Sequence, residues 1–110
     1  MKTQTELVKG TTTPIILRLV AEKEMYGYDM VKAVNKRTNG ALQWKEGTLY
    51  PCLHRLEADG LVKSVWRSAP SGKMRKYYRI TRKGRSELAR RVEEWRTVRT
   101  AVNVLLLGGV

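Results

Sequence analysis

The chain has 110 residues, room for one domain with a core of modest size. Its 22 lysines and arginines against 10 acids give a formal net charge of +12, which predicts attraction to polyanions and says nothing of fold. Apolar residues make up 42% and fall in periodic blocks, which argues against disorder, while the longest purely apolar run, residues 104–107, is far short of the roughly 20 residues of a bilayer span.

The single cysteine, Cys52, leaves no internal disulfide, and with the single histidine, His54, it leaves no zinc site built from Cys and His within one chain. Residues 1–6 lead into no apolar stretch of signal-peptide length, and Arg18 interrupts the next cluster. The expectation is a cytoplasmic protein with no cofactor, metal or membrane partner.

In chain order, Thr13 and Pro14 open an apolar cluster (Ile15, Ile16, Leu17, Leu19 and Val20). Thr as N-cap and Pro in first position suit a helix start, although Leu7 and Val8 extend the same pattern upstream through Gly10. Either way the helix runs to about Glu24. The segment 25–29 is a breaker followed by a second helix start. Met30, Val31 and Val34 form the inner stripe of that helix, and Asn39-Gly40 stops it. A third helix spans 47–59 with Leu49, Leu53 and Leu56 inward, Pro51 in its first turn and Gly60 as its stop.

Residues 61–67 and 75–80 are rich in strand formers and flank a turn-type loop, 68–74, so they predict a β-hairpin. Thr81 then caps a last helix over 82–107, about 39 Å long at 1.5 Å per residue. The fold class expected is mainly α with a small β-hairpin. Residues 1–81 form a winged helix-turn-helix unit for DNA, and 82–110 a dimerisation helix compact with it.

In a helix-turn-helix the second helix enters the major groove by its N-terminal end. With the leucines inward, Thr48, Tyr50, Pro51, His54 and Arg55 face out or sideways, and Lys45 lies just ahead. Thr48 and Tyr50 sit where backbone N–H groups favour a phosphate, and His54 one turn on suits a base edge. Two of these residues carry a plainer alternative: Tyr50 as a packed core ring, His54 as a solvated surface residue. Cys52 reads as a small packed residue.

From residue 73 to 85 the charged residues are Lys73, Arg75, Lys76, Arg79, Arg82, Lys83 and Arg85, with no acid among them. Solvated surfaces usually mix signs, so this run points to phosphates. Tyr77 and Tyr78 interleave with the charges, and strand alternation places Arg75, Tyr77 and Arg79 on one face. Lys73, Arg75 and Lys76, with Tyr77 beside them, are the expected contacts of the wing tip, where Gly72 permits a tight turn.

The string Glu46-Gly47-Thr48-Leu49-Tyr50-Pro51, continuing through Leu53-His54-Arg55-Leu56-Glu57 to Gly60-Leu61, resembles the recognition-helix signature of the PadR-like transcriptional regulators. Tyr26-Gly27-Tyr28 resembles the start of that family's second helix, Lys76-Tyr77-Tyr78-Arg79-Ile80-Thr81 with Gly84 its wing-to-helix junction, and Lys9-Gly10-Thr11 its first helix. The resemblance covers nearly the whole chain. It implies a homodimeric bacterial regulator, usually a repressor, on a pseudo-palindromic operator in double-stranded DNA and released by an effector. The single C-terminal helix resembles the short subfamily, which includes regulators of multidrug efflux. Pro14 and Thr11-Thr12-Thr13 depart from the helix-favouring stretch of many relatives.

Along the last helix Leu88, Val92, Trp95, Arg99, Val102 and Leu106 recur at alternating spacings of four and three, a coiled-coil seam interrupted by one arginine. So small a domain cannot cover it, which predicts a homodimer. Trp95 either packs at that interface or forms, with its symmetry mate, a shelf for a flat ligand. The resemblance implies the second role, since drug-sensing relatives hold planar compounds between aromatic residues of this helix. With Val92, Arg99 and, from the first helix, Arg18 around it, the expected effector is planar and neutral or anionic.

Enzyme chemistry fails on inventory. A Ser–His–acid triad would need His54, which lies among basic neighbours on the reading helix, and Glu93 and Glu94 point about 100° apart. Two other classes stay in view. A sequence-tolerant nucleic-acid-coating protein would place Lys and Arg where Thr48, Tyr50 and His54 stand. A membrane-surface helix would carry a broader apolar face than this seam.

Overall fold

The computed structural model describes residues 10–108. The chain runs α1 (Thr12–Glu22), β1 (Met25–Tyr26), α2 (Gly27–Arg37), α3 (Glu46–Ala58), β2 (Val62–Ser68), β3 (Met74–Ile80) and α4 (Arg82–Leu107). Leu7, Val8 and Lys9 lie outside the described residues. Gly10 is left-handed at φ +89°, a conformation that no α-helix continues through, and α1 begins two residues later. Thr11, not Thr13, is its N-cap. Pro14 therefore falls at the third helical position, still inside the turn whose N–H groups have no intrahelical acceptor.

The hairpin is joined by a third strand that periodicity does not signal. β1 is two residues long and pairs antiparallel with β3, Met25 opposite Tyr78 and Tyr26 opposite Tyr77, so β3 is central in the order β1-β3-β2. Two residues are too few to show alternation, and the pairing partner lies some fifty residues away.

Helices and sheet close over one core. α1 contributes Ile16, Leu17, Leu19 and Val20, α2 Met30 and Val34, and α3 Leu49, Leu53 and Leu56. The sheet side contributes Met25, Leu61, Val62 and Tyr78. Leu88 of α4 belongs to it as well, 6% exposed against α1, so this seam position is spent inside the chain's own core. Val31, expected in the inner stripe of α2, is only partly buried.

Two helix ends carry the same device. At α2 the Asn39 N–H donates to the Lys36 carbonyl and the Gly40 N–H to that of Asn35, with Asn39 at φ +50°. At α3 the Gly60 N–H donates to Glu57 and the Leu61 N–H to Leu56, with Gly60 at φ +75°. Both are Schellman stops, which satisfy the orphan carbonyls at a helix end. Pro51 lies in the second turn of α3, not the first, because the helix starts at Glu46. Its missing N–H leaves the Gly47 carbonyl without an intrahelical donor.

α4 is locked to the end of α3 at its first turn. The Thr81 side chain accepts the Gly84 N–H at 3.0 Å and donates to the carbonyls of Gly60 (2.7 Å) and Leu61 (3.1 Å), while Lys83 Nζ donates to that of Asp59 at 2.8 Å. Gly84 passes so close that a Cβ there would lie 2.1 Å from the Leu61 carbonyl oxygen. Further along, Glu87 accepts from Arg90 (2.6 Å) and Arg91 (2.7 Å), and Arg90 also reaches Glu94 at 2.7 Å. The hydrogen bonds from Arg90 and then Arg91 hold the Glu87 carboxyl down at about 2.

These contacts make two predictions. Gly84→Ala is expected to cost about 3 kcal/mol or more in chemical denaturation, since the clash is with backbone. Gly47→Ala, where a Cβ meets nothing within 4 Å, should be neutral or stabilising. Glu87 is ionised and stabilising above its ordinary value of 4.5, and that contribution is lost as pH falls from there through about 2. The melting temperature of Glu87→Gln should therefore fall less between pH 5 and pH 2 than that of the unaltered chain, by a few degrees, because Arg90 is well solvated.

Candidate nucleic-acid interface

The turn between α2 and α3 is pinned by side chains. Asn35 accepts the Trp44 N–H at 2.8 Å, and its amide donates back to the Trp44 carbonyl at 3.4 Å. Thr38 accepts the Leu42 N–H at 3.0 Å. This fixes the angle at which α3 leaves the body. The buried leucine stripe then dictates its outer face, where Lys45, Thr48, Pro51, His54 and Arg55 are all exposed.

Tyr50 does not share that face fully. Its ring lies over Gly27, where a Cβ would come within 2.7 Å of the phenol oxygen, and the hydroxyl donates to Glu46 at 3.3 Å. Burial first, then the Glu46 carboxylate, pushes the hydroxyl above its usual range, so it stays a donor. Glu46 in the first turn already complements the helix dipole. That end of α3 therefore offers the hydroxyls of Thr48 and Tyr50 more than a vacant anion site, and the His54 imidazole follows two turns in. Cys52 is partly buried against the core, with Arg55 3.6 Å from its sulfur.

The wing departs further from the simple picture. Of its three expected tip cations, Lys73 alone lies in the connecting loop and is exposed. Lys76 points back toward α3 and pairs with Glu57 at 3.3 Å, beside the bond from the Ser64 hydroxyl to the same carboxylate. Ser64 first, then Lys76, draws the Glu57 carboxyl below its ordinary value. Arg75 is half-buried with its guanidinium 5.7 Å from the Tyr26 ring centre, and its Nε is buried without a partner. Tyr77 meets Tyr26 edge to face at 5.2 Å. Lys76 and Arg75 thus tie the tip-proximal half of the wing back to the body, and a Glu57–Ser64–Lys76 brace joins α3 to the wing, which the sequence signals only as one acid ahead of a basic hairpin.

On the other side of the molecule α1, the C-terminal end of α2 and α4 enclose a groove of about 510 Å³. It brings together Arg18, Val92 and Trp95, which the sequence reading sets around one ligand, and adds Arg37, Arg91 and the seam residue Leu88. Arg99 is not among its lining residues, because it lies a turn beyond Trp95 where α4 has left the body. From there α4 is uncovered: Trp95 is 50% exposed, Val102 42% and Leu106 76%. No helix among the described residues is long and apolar enough to cross a membrane.

Comparison with known proteins agrees with this architecture. Residues 16–90 match the family described as "Transcriptional regulator PadR-like family". An uncharacterized protein of Lysinibacillus sphaericus is 36% identical over 105 residues, 96% of each chain. Among solved structures, a transcriptional regulator from Clostridium thermocellum superposes with a TM-score of 0.84 at 33% identity, over 92% of this chain and 95% of that one. A PadR-like transcriptional regulator of Bacillus cereus gives 0.82 at 34% identity, over 94% and 98%. With a pinned reading helix, a basic wing and a match across most of its length, this chain belongs to the PadR-like family of winged-helix, DNA-binding transcriptional regulators and is not an enzyme.

Proposed function

We propose that the protein is a cytoplasmic homodimeric repressor that holds a pseudo-palindromic operator and lets go when a planar effector occupies the groove beside α4. The observation that carries the dimer is the exposed strip Trp95, Val102 and Leu106 on a helix that runs on past its own domain. Contiguous apolar surface of this kind marks an interaction site, and a self-complementary rod fits a two-fold pair. Residues 1–81 then form the reading head and 82–110 the dimerisation element, although the first turns of α4 are part of the head's core. The interface runs through Val92, Trp95, Arg99, Val102 and Leu106, with Leu88 withdrawn from it.

In this reading Lys45, Thr48, Pro51 and His54 of α3 enter the major groove while Lys73 reaches the phosphates from the wing. Tyr50, Arg75, Lys76 and Tyr77 position them. Selection of bound duplexes from a random pool by the purified protein is expected to return a palindrome with half-sites about 34 Å apart. His54→Ala should narrow the specific-to-random affinity ratio by about tenfold, one lost base contact. An unchanged ratio removes His54 from base reading, and a pool that yields no consensus favours a sequence-tolerant coating protein.

The effector preference follows from charge. Arg37 is paired with Glu22 at 2.6 Å and Arg91 with Glu87, whereas Arg18 makes no ion pair among the described residues. A cation without a direct ion pair, only within Coulomb range of Glu22, beside an aromatic wall favours flat neutral or anionic ligands. In a Trp44→Phe, Trp66→Phe background, quenching of Trp95 should report an anionic planar dye binding about tenfold tighter than a cationic one of similar area. Equal or better binding of the cation would refute the preference.

A further inference from the structure

Strand alternation divides the sheet into two faces. Val62 and Tyr78 point into the core, which leaves Lys63, Val65 and Arg67 of β2 and Arg75, Tyr77 and Arg79 of β3 on the outer face. The register aligns these residues in three rows: Lys63 opposite Arg79, Val65 opposite Tyr77, and Arg67 opposite Arg75. Two cross-strand pairs of like charge thus stand on one face, an arrangement that destabilises a sheet in isolation.

The two basic rows differ. Arg67 pairs with Glu24 at 3.0 Å and lies 5.6 Å from the centre of the Tyr77 ring, and Arg75 lies over Tyr26. That row is compensated within the protein. Lys63 and Arg79 are both exposed, and the side chain of neither makes an ion pair or hydrogen bond among the described residues. Arg82 and Arg85, also exposed, follow directly along the chain.

We propose that Lys63 and Arg79 form a second phosphate-binding surface on the outer face of the wing sheet, which holds the backbone of duplex DNA flanking the half-site read by α3. The inference rests on the reading that duplex DNA is the partner. Cross-strand neighbours stand about 5 Å apart, so two uncompensated cations at that spacing suit a run of phosphodiesters. Base stacking is a poorer use of the face, because guanidinium groups already cover the Tyr26 and Tyr77 rings. A membrane surface would need more apolar area than Val65 supplies, and the more exposed Trp66 points to the opposite face.

The test uses the Lys63→Thr/Arg79→Thr double variant of the full chain. Its salt dependence of binding is measured on random-sequence duplexes of two lengths, one just spanning the dimer footprint and one extended at both ends. On the long duplex the slope of log K against log salt should fall by about 4, or about 0.9 for each phosphate contact, two of which are lost from each subunit of the dimer. On the short duplex it should hold, and the variant should melt at a higher temperature because the like-charge pair is gone. An unchanged slope on the long duplex overturns the proposal, as does an equal loss at both lengths, a lower melting temperature, or a larger loss on single strands or anionic vesicles. Should the unaltered chain bind no duplex at all, the repressor reading falls too; binding with an unchanged slope sinks the outer-face site alone.

Discussion

The Leu61 carbonyl is the point on which the rest of the structure turns. It accepts the Thr81 N–H at 3.1 Å and lies against Gly84 with no room for a side chain between. Immediately before it Gly60 ends α3, immediately after it β2 begins, and across from it α4 takes its first turn. Reading helix, wing and long helix therefore meet within a few residues of backbone, held by hydrogen bonds from the Thr81 N–H, the Thr81 hydroxyl and Lys83 to main-chain carbonyls. A small domain has little core with which to fix relative angles. This one fixes them by close backbone approach, which explains a glycine inside the first turn of a helix where propensity alone disfavours it.

That junction was legible in the sequence only as punctuation. Gly60 as a stop, Thr81 as a cap and the full extent of α4 follow from local chemistry, as do the leucine stripe of α3 and the Asn39 stop of α2. Missing from the sequence reading was everything that depends on distant partners. β1 is two residues whose strand character comes wholly from Tyr77 and Tyr78. Leu88 keeps the spacing of the α4 seam yet belongs to the core, because periodicity reports which face of a helix is apolar and not what covers it. The start of α1 moved for a local reason: Gly10 adopts a left-handed φ, which its lack of a side chain makes easy and which an upstream apolar pattern does not reveal.

Charge was the least reliable guide to individual roles. The run from Lys73 to Arg85 contains no acid, but acids distant in sequence still neutralise part of the wing: Glu57 takes Lys76, and Glu24 takes Arg67 from the neighbouring strand. Arg75 is drawn onto the Tyr26 ring and gives up solvent without gaining a partner for Nε. Net charge sets the long-range field that brings a polyanion near, and that field survives such pairing because the excess of +12 is large. Which cations stay free for a phosphate depends instead on which acids reach them. On the wing, among the described residues, Lys73 at the tip and the Lys63–Arg79 pair at the root make no ion pair.

The same junction gives the proposed release mechanism its physical plausibility. Trp95 lies eleven residues beyond Gly84, about 16 Å along the helix axis. Between them α4 is an unbroken helix without proline, with the Glu87, Arg90, Arg91 and Glu94 ion pairs along it. With α4 fused to the end of α3 at Leu61, a rotation imposed where two copies of α4 cross would pass to the reading head undiminished. Over that arm a turn of about 10° moves the head by about 3 Å, enough to put two reading helices out of step with grooves a fixed helical turn apart. A ligand wedged against Trp95 would then need no pathway of shifting side chains through the domain. It would need only to bind one crossing angle better than the other, and the lever is already rigid.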